Sequence, residues 1–267
     1  MSFVIRRFGD AFATAEELPT LEGRQPQGAT AVTGSLTRLP GGGSFDWRGA
    51  DAAGPEPDLI ELFGGWVAGD VATMRAKLAA LKSLVGRRSR LWRTDGVAHQ
   101  WRLARCLRLD SDLEAGLPAH SEIRLSFELD AGPWNGTGRS ATITLDTSPK
   151  SQAVTNGGNV IQRDVVLTVT AVGSPITALW IHNFAVGHES AIHYWGAIAA
   201  GQALVLDCGA GTVRNHGVDD YARLMLLAGH TMREWLRLAP GSNTIRVTRT
   251  GGGAASTCIL AYHDAWA

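Results

Sequence analysis

The sequence predicts a mainly β fold with one α-helix, arranged as two domains, residues 1–130 and 131–267. Three observations carry this. Glycine supplies 32 of the 267 residues, well above the ~7% of an ordinary chain, which suits a protein of many tight turns. Short apolar or alternating runs recur along the chain, punctuated by turn residues. A single segment has clear helical periodicity.

In the first domain, residues 3–8 (FVIRRF), 29–39 and 59–69 (LIELFGGWVAG) read as strands. Gly41-Gly42-Gly43 and the proline-bearing segment 50–58 read as loops. The helix is predicted over 71–86. Asp70 stands at its N-cap, where a carboxylate accepts from free first-turn amides. Val71, Met74, Leu78, Leu81 and Val85 recur at three- and four-residue steps as an apolar stripe, and Gly86 fits a left-handed stop. Residues 88–94 and 97–109 read as a hairpin about Asp95-Gly96. Residues 121–129 (SEIRLSFEL) alternate cleanly, with Ile123, Leu125, Phe127 and Leu129 on one face.

A turn is predicted at 133–136 (Pro-Trp-Asn-Gly), and the texture then changes. Strands are predicted at 140–146, 160–172, 176–185, 190–198, 203–208, 233–238, 243–249 and 257–265. That spacing is the pattern of a β-sandwich.

Composition excludes several classes. With 25 basic and 25 acidic residues the chain carries no net charge to draw it onto nucleic acid or an anionic membrane. No apolar run reaches the ~20 residues of a spanning helix. The first residues lack the apolar core of a signal peptide, so synthesis in a cytoplasm is expected. Cys106, Cys208 and Cys258 are far apart and odd in number, which predicts buried thiols rather than a disulfide framework.

Catalytic motifs are missing from the sequence. There is no nucleophile elbow, no phosphate-binding loop with its lysine and no zinc-protease helix. No enzyme activity, cofactor or metal is therefore expected. His182 and His193 lie on neighbouring predicted strands and can meet across a hairpin, but no cysteine or carboxylate spacing supports a metal. Trp180, His182, His193, Tyr194 and Trp195 form an aromatic group open to three readings: core packing, a protein interface or a sugar-stacking platform.

Residues 75–108 hold ten basic side chains against one acid, Asp95, while the rest of the first domain holds 16 acids against six bases. One reading is a solvated helix face plus outer strand positions. The other is a basic edge, with Arg75, Arg87, Arg88, Arg90 and Arg93, that meets an acidic edge of an identical subunit in a closed ring.

Four ordered segments of the second half resemble a known family. They are 156–170 with its Asn-Gly turn, and 178–187 with a late asparagine. Next comes 198–220 with Gly201-Gln202-x-Leu204-x-Leu206-Asp207, and last 235–266 with Leu238-x-Pro240-Gly241-x-Asn243-x-Ile245. This order resembles the C-terminal galectin-like β-sandwich of siphophage-type distal tail proteins. The first half, with its single amphipathic helix, resembles that family's N-terminal split-barrel, or belt, domain. The resemblance implies a structural protein of the virion whose belt domains form a homohexameric ring. That ring joins the tail tube protein to the tail hub or tip protein, and the genome passes its lumen without sequence-specific binding. It also implies attachment of receptor-binding proteins, no membrane span and assembly in the host cytoplasm. Galectin sugar sites use a His-x-Asn-x-Arg strand, and His182-Asn183-Phe184 does not match it. The alternative from a different class is a carbohydrate-binding β-sandwich module for host-surface recognition.

The residues have structural reasons of their own. Pro240 fixes its φ and Gly241 supplies a positive one, which makes a type II turn. Asn243 can bond back to that turn, and Asp207 can cap the loop at 209–212.

Overall fold

The alternation in 121–129 is realised in full: Ile123, Leu125, Phe127 and Leu129 are all buried. A computed structural model describes residues 4–18, 59–68, 70–94, 98–114, 119–130, 132–225 and 235–267. The predicted strand at 29–39, the loops at 41–43 and 50–58, and the Asp95-Gly96 turn lie outside the described residues. The chain divides into two units, Met1–Trp134 and Asn135–Ala267.

The first unit contains β1 (Val4–Phe8), β2 (Glu16–Glu17), β3 (Leu59–Ala68), α1 (Val71–Lys82), β4 (Arg88–Thr94), β5 (His99–Glu114) and β6 (Ala119–Leu129). Its strands pair antiparallel in the order β2-β1-β4-β5-β6-β3. Phe8 of β1 meets Phe127 of β6 with ring centroids 5.2 Å apart. Leu91, Ala104 and Cys106 are also buried, and α1 packs against β3, β5 and β6.

The helix begins as the sequence indicates. Asp70 is extended, and one carboxylate oxygen accepts the Thr73 N–H at 2.8 Å while the other accepts the Thr73 hydroxyl at 2.8 Å. The Thr73 amide, then its hydroxyl, hold the Asp70 carboxyl below its usual value.

The C-terminus differs from expectation. The regular helix stops at Lys82, and the next turn tightens, with the Leu84 N–H on the Leu81 carbonyl at 3.0 Å. That shift rotates Val85 outward to 42% exposure and brings Leu84 inward, so the buried stripe is Met74, Leu78, Leu81 and Leu84. Gly86 does adopt φ +84, and its N–H donates to the Cys106 carbonyl of β5 at 2.8 Å.

The second unit opens with β7 (Trp134–Thr144), whose first residue belongs to the first unit. The predicted turn at 133–136 is thus overturned: Trp134 and Asn135 are buried strand residues. There follow β8 (Lys150–Asn156), β9 (Val166–Thr170), β10 (Ile176–Asn183), β11 (Ser190–Tyr194), β12 (Ala203–Asp207), β13 (Thr212–Asn215) and β14 (Val218–Asp219). A 3₁₀ turn at Tyr221–Arg223 precedes β15 (Gly241–Gly251) and β16 (Thr257–Trp266).

These strands form two sheets, β14-β13-β12-β9-β16-β7 and β11-β10-β15-β8. One continuous core takes alternate residues from both: Ile143, Leu167, Val169, Leu204, Leu206, Cys258 and Leu260 from the first, Leu179, Ile181, Ile192, Ile245 and Val247 from the second. This is a β-sandwich. The long strand predicted over 160–172 is confined to Val166–Thr170, because Gln162 is instead buried, bridging Leu238 and donating to the His263 carbonyl at 2.8 Å. Of the strand predicted at 233–238, residues 233 and 234 lie outside the described residues, and Leu238 makes an isolated bridge.

Cys106, Cys208 and Cys258 are free and buried. Burial pushes the thiols of Cys208 and Cys258 up to about 12, so both stay protonated and behave as apolar fillers.

Candidate interaction surfaces

Two surfaces anticipated from sequence can be built residue by residue. The first lies on the outer face of the β11-β10-β15-β8 sheet. Along β10 the inward residues Leu179, Ile181 and Asn183 are buried, which turns Trp180 and His182 outward, with Phe184 following in register. Along β11, Ile192 and Tyr194 point inward and His193 outward, followed by Trp195.

The outward rings form an unbroken strip. Trp195 meets Trp180 at 5.7 Å between centroids, Trp180 meets His193 at 6.1 Å, His193 meets His182 at 5.3 Å, and His182 meets Phe184 at 5.7 Å. The Arg246 guanidinium stands 6.0 Å from the Phe184 ring centre. Trp195 is 51% exposed and Phe184 46%.

Tyr194 is not part of this strip. It is wholly buried, and its hydroxyl is bonded to Asp220 and, at 3.0 Å, to Asn215. Strict alternation explains the correction, since a strand that exposes His193 and Trp195 must bury the residue between them. Burial first, and then the Asp220 carboxylate, push the Tyr194 hydroxyl far above its usual range, so it acts as a neutral tie between β11 and the 215–220 turn. Phe184 and Arg246 were the members missed. The step of two from Trp180 through His182 was the signal for Phe184.

The two histidines do meet across the hairpin, with Nε2 atoms 3.2 Å apart. Among the described residues no group of three or more His, Cys, Asp and Glu is placed to hold a metal. At 3.2 Å one imidazole donates and the other accepts, which requires both to be neutral or share one proton. Burial, and then the Arg246 charge, lower the pKa of His182, while burial and then His182 lower that of His193.

The sign of the resulting pH dependence follows. The unfolded chain, with imidazoles near 6.5, binds more protons than the folded chain as pH falls through that value. Stability should therefore be flat above about pH 6.5 and decline below it. Thermal melts between pH 7.5 and 5 are expected to show this decline, and His182→Gln is expected to flatten it. An unchanged slope in that variant would place the acid sensitivity elsewhere.

The second surface is the basic band of the first unit. Arg75 and Arg87 are exposed. The other three predicted edge residues are engaged within the chain. Arg88 pairs with Asp130. Arg90 donates to the Asp10 carbonyl at 2.7 Å and lies 4.3 Å from the Trp101 ring centre. Arg93 donates Nε–H to Gln100 at 2.8 Å and lies 4.4 Å from the Trp134 ring centre. Burial, and then the neighbouring Arg102 charge, push the Arg93 guanidinium down to about 10. A count of charges cannot see this, because carbonyl oxygens and ring faces hold cations as well as carboxylates do.

No family model and no curated protein matches the sequence. Among solved structures, the chain superposes on the Dit protein of phage SPP1 with a TM-score of 0.57 at 13% identity, covering 98% of this chain and 93% of that one. The chain has the fold of a phage distal tail (Dit) protein. That protein is described as a paradigm of the hub adsorption apparatus in phages infecting Gram-positive bacteria. Chains of the activated phage P2 baseplate also align. The calcium form gives a TM-score of 0.39 at 8% identity over 78% of this chain and 80% of that one. The strontium form gives 0.35 at 10% identity over 76% and 78%. Among the described residues no helix is long and apolar enough to cross a membrane.

Proposed function

We propose that this chain is a structural component of a phage-type tail tip, in which its first unit forms a hexameric ring joining the tail tube to the hub or baseplate. The observation that carries the reading is the match of fold over 98% of this chain and 93% of the SPP1 Dit protein, which takes in both units rather than the sandwich alone. A carbohydrate-binding module needs only the sandwich. The first unit, with its six-stranded sheet and packed helix, is accounted for by an assembling role.

In this reading the tail tube protein abuts one side of the ring and the tail hub or tip protein the other. Receptor-binding proteins attach outside, and the genome passes the lumen without sequence-specific contacts. The chain is a virion protein, made in the host cytoplasm, that performs no chemistry. Arg75 and Arg87, exposed on α1 and just before β4, supply positive groups for the neighbouring copy's acidic edge. A heterologous contact of this kind closes a ring when its rotation is a whole fraction of a turn.

The test is a reconstruction of assembled tails or tail-like particles carrying this chain. Six copies in one ring at the distal end of the tube are expected. A different copy number, or density for this chain away from the tube axis, would sink the proposal. Arg75→Glu combined with Arg87→Glu is expected to reduce incorporation into tails while leaving the purified chain's melting temperature unchanged.

A further inference from the structure

We propose that the aromatic strip on the outer face of the second unit is a binding site for a neutral polysaccharide. The proposal goes beyond the tail-tip role and does not depend on it.

The argument starts from register. Each outward ring of β10 stands beside a polar residue of β15: Trp180 opposite Thr248, and His182 opposite Arg246. Phe184 joins the same pattern through its N–H, which donates to the Thr244 carbonyl at 3.1 Å. Neighbouring strands run ~4.8 Å apart, so a row of rings lies one strand away from a row of hydroxyl and guanidinium groups. The outer sheet face is therefore divided into an aromatic band on β10 and β11 and a polar band on β15. Thr244 and Arg246 in that polar band are exposed.

A pyranose ring has the complementary division. One face is a patch of C–H groups that packs on an aromatic ring, and its rim carries hydroxyls that donate and accept within a few ångströms of that face. Thr244 and Thr248 can both donate and accept, and the Arg246 guanidinium offers several donors in a fixed plane. The strip continues over five rings with centroid steps of 5.3 to 6.1 Å. That length suits a chain of sugars better than a single one.

Other occupants fit less well. Nucleic acid needs several cations along its phosphates, and among the described residues the strip offers Arg246, while burial lowers the pKa of both histidines, helped by Arg246 at His182 and by His182 at His193. The core of a protein interface is a closed apolar patch with a polar rim all round, whereas here the aromatic band itself contains two histidines and lies along a polar band on β15.

The test uses the full chain in native gels cast with soluble polysaccharides: hydroxyethyl cellulose, glycol chitin, laminarin and galactomannan. Retarded migration in at least one gel is expected. Trp180→Ala with Trp195→Ala, and separately Phe184→Ala and Arg246→Ala, are each expected to raise the dissociation constant by about tenfold or more. Val218→Ala, at an exposed site away from the strip, is expected to bind as the parent does. Melting curves establish that each variant is folded, and Phe184→Ala, whose ring is half exposed, serves if the double variant is not. Unretarded migration in all four gels overturns the proposal. Retardation that survives in the folded double variant or in Phe184→Ala and Arg246→Ala together also overturns it, as does capture of a protein by the strip with no polysaccharide bound. None of these outcomes bears on the position of the chain in a tail.

Discussion

Asn243→Ala is expected to lower the melting temperature of the second unit by roughly 10 °C, for a loss of about 3 kcal/mol. Asn243 is buried, and its amide closes the turn at 239–241. Its Oδ1 accepts the Ala239 N–H at 2.8 Å and the Asn183 Nδ2–H at 2.8 Å. Its Nδ2 donates to the carbonyls of Ala239 at 2.9 Å and Gly241 at 3.1 Å. Asn183 in turn donates to the Arg237 carbonyl at 2.7 Å, so the pair binds the end of β10 to the chain entering β15. Alanine would remove four bonds and leave the Ala239 amide and the Asn183 side chain buried without them, which costs the desolvation of each group. The isosteric Asn243→Asp is the sharper test. It keeps the acceptor for Ala239 but sets a carboxylate oxygen against two carbonyls, and it is expected to be at least as damaging as alanine. If Asn243→Asp melts within two degrees of the parent, the donor half of the network contributes little.

That asparagine was legible in the sequence because local geometry alone dictates it. Pro240-Gly241 fixes a turn, Gly241 does take φ +81, and an asparagine two residues on is within reach of the turn's backbone. Asp207 was legible for the same reason, and it accepts the Ala210 N–H at 2.9 Å. β6 was legible because its buried apolar residues, Ile123, Leu125, Phe127 and Leu129, fall at every second position. β8 was not. It is the edge strand of the smaller sheet, and KSQAVTN has few apolar residues because an edge strand buries little. Within it Val154 and Asn156 are the buried residues, and no apolar period can be read from one valine. The short strands β13 and β14, at one end of the other sheet, escaped for the same reason, since Val213 is their one buried residue. Trp134 was misread because proline and Asn-Gly around it signal a turn locally. Burial of Asn135, whose side chain accepts from Gln162 at 3.2 Å, is a tertiary fact that no local signal carries.

The candidate surfaces divide along the same line. Which rings belong to the strip follows from alternation once the strands are known, which removes Tyr194 and adds Phe184. The basic band was visible as an excess of charge, but its use was not. Arg88 reaches Asp130 across forty-two positions of sequence, and Arg90 reaches the carbonyl of Asp10 across eighty. Such partners are set by strand order, which the pattern of residues within one strand does not encode.

Strand order also makes the helix the critical element of the first unit, and Leu78→Asp is the substitution with the largest expected effect there. Met74, Leu78, Leu81 and Leu84 are each at most 6% exposed, while Arg75, Lys77 and Lys82 face outward. The helix itself is twelve residues long, short enough to be marginal in isolation, so its stability derives from this packed face. Leu78 sits at the centre of the stripe, one turn from both Met74 and Leu81. Aspartate there forfeits the ~2 kcal/mol of a buried leucine and places a carboxylate on the buried stripe between Met74 and Leu81. The total cost is expected to be about 3–5 kcal/mol. The outcome read is loss of the first unit's cooperative melt, with the sandwich, which has its own core, still melting as before. Leu78→Met keeps the volume and apolarity and is expected to cost less than about 1.5 kcal/mol. If Leu78→Asp melts within a degree or two of the parent, α1 does not depend on burying this face. If the sandwich transition is lost together with that of the first unit, the two units do not fold independently.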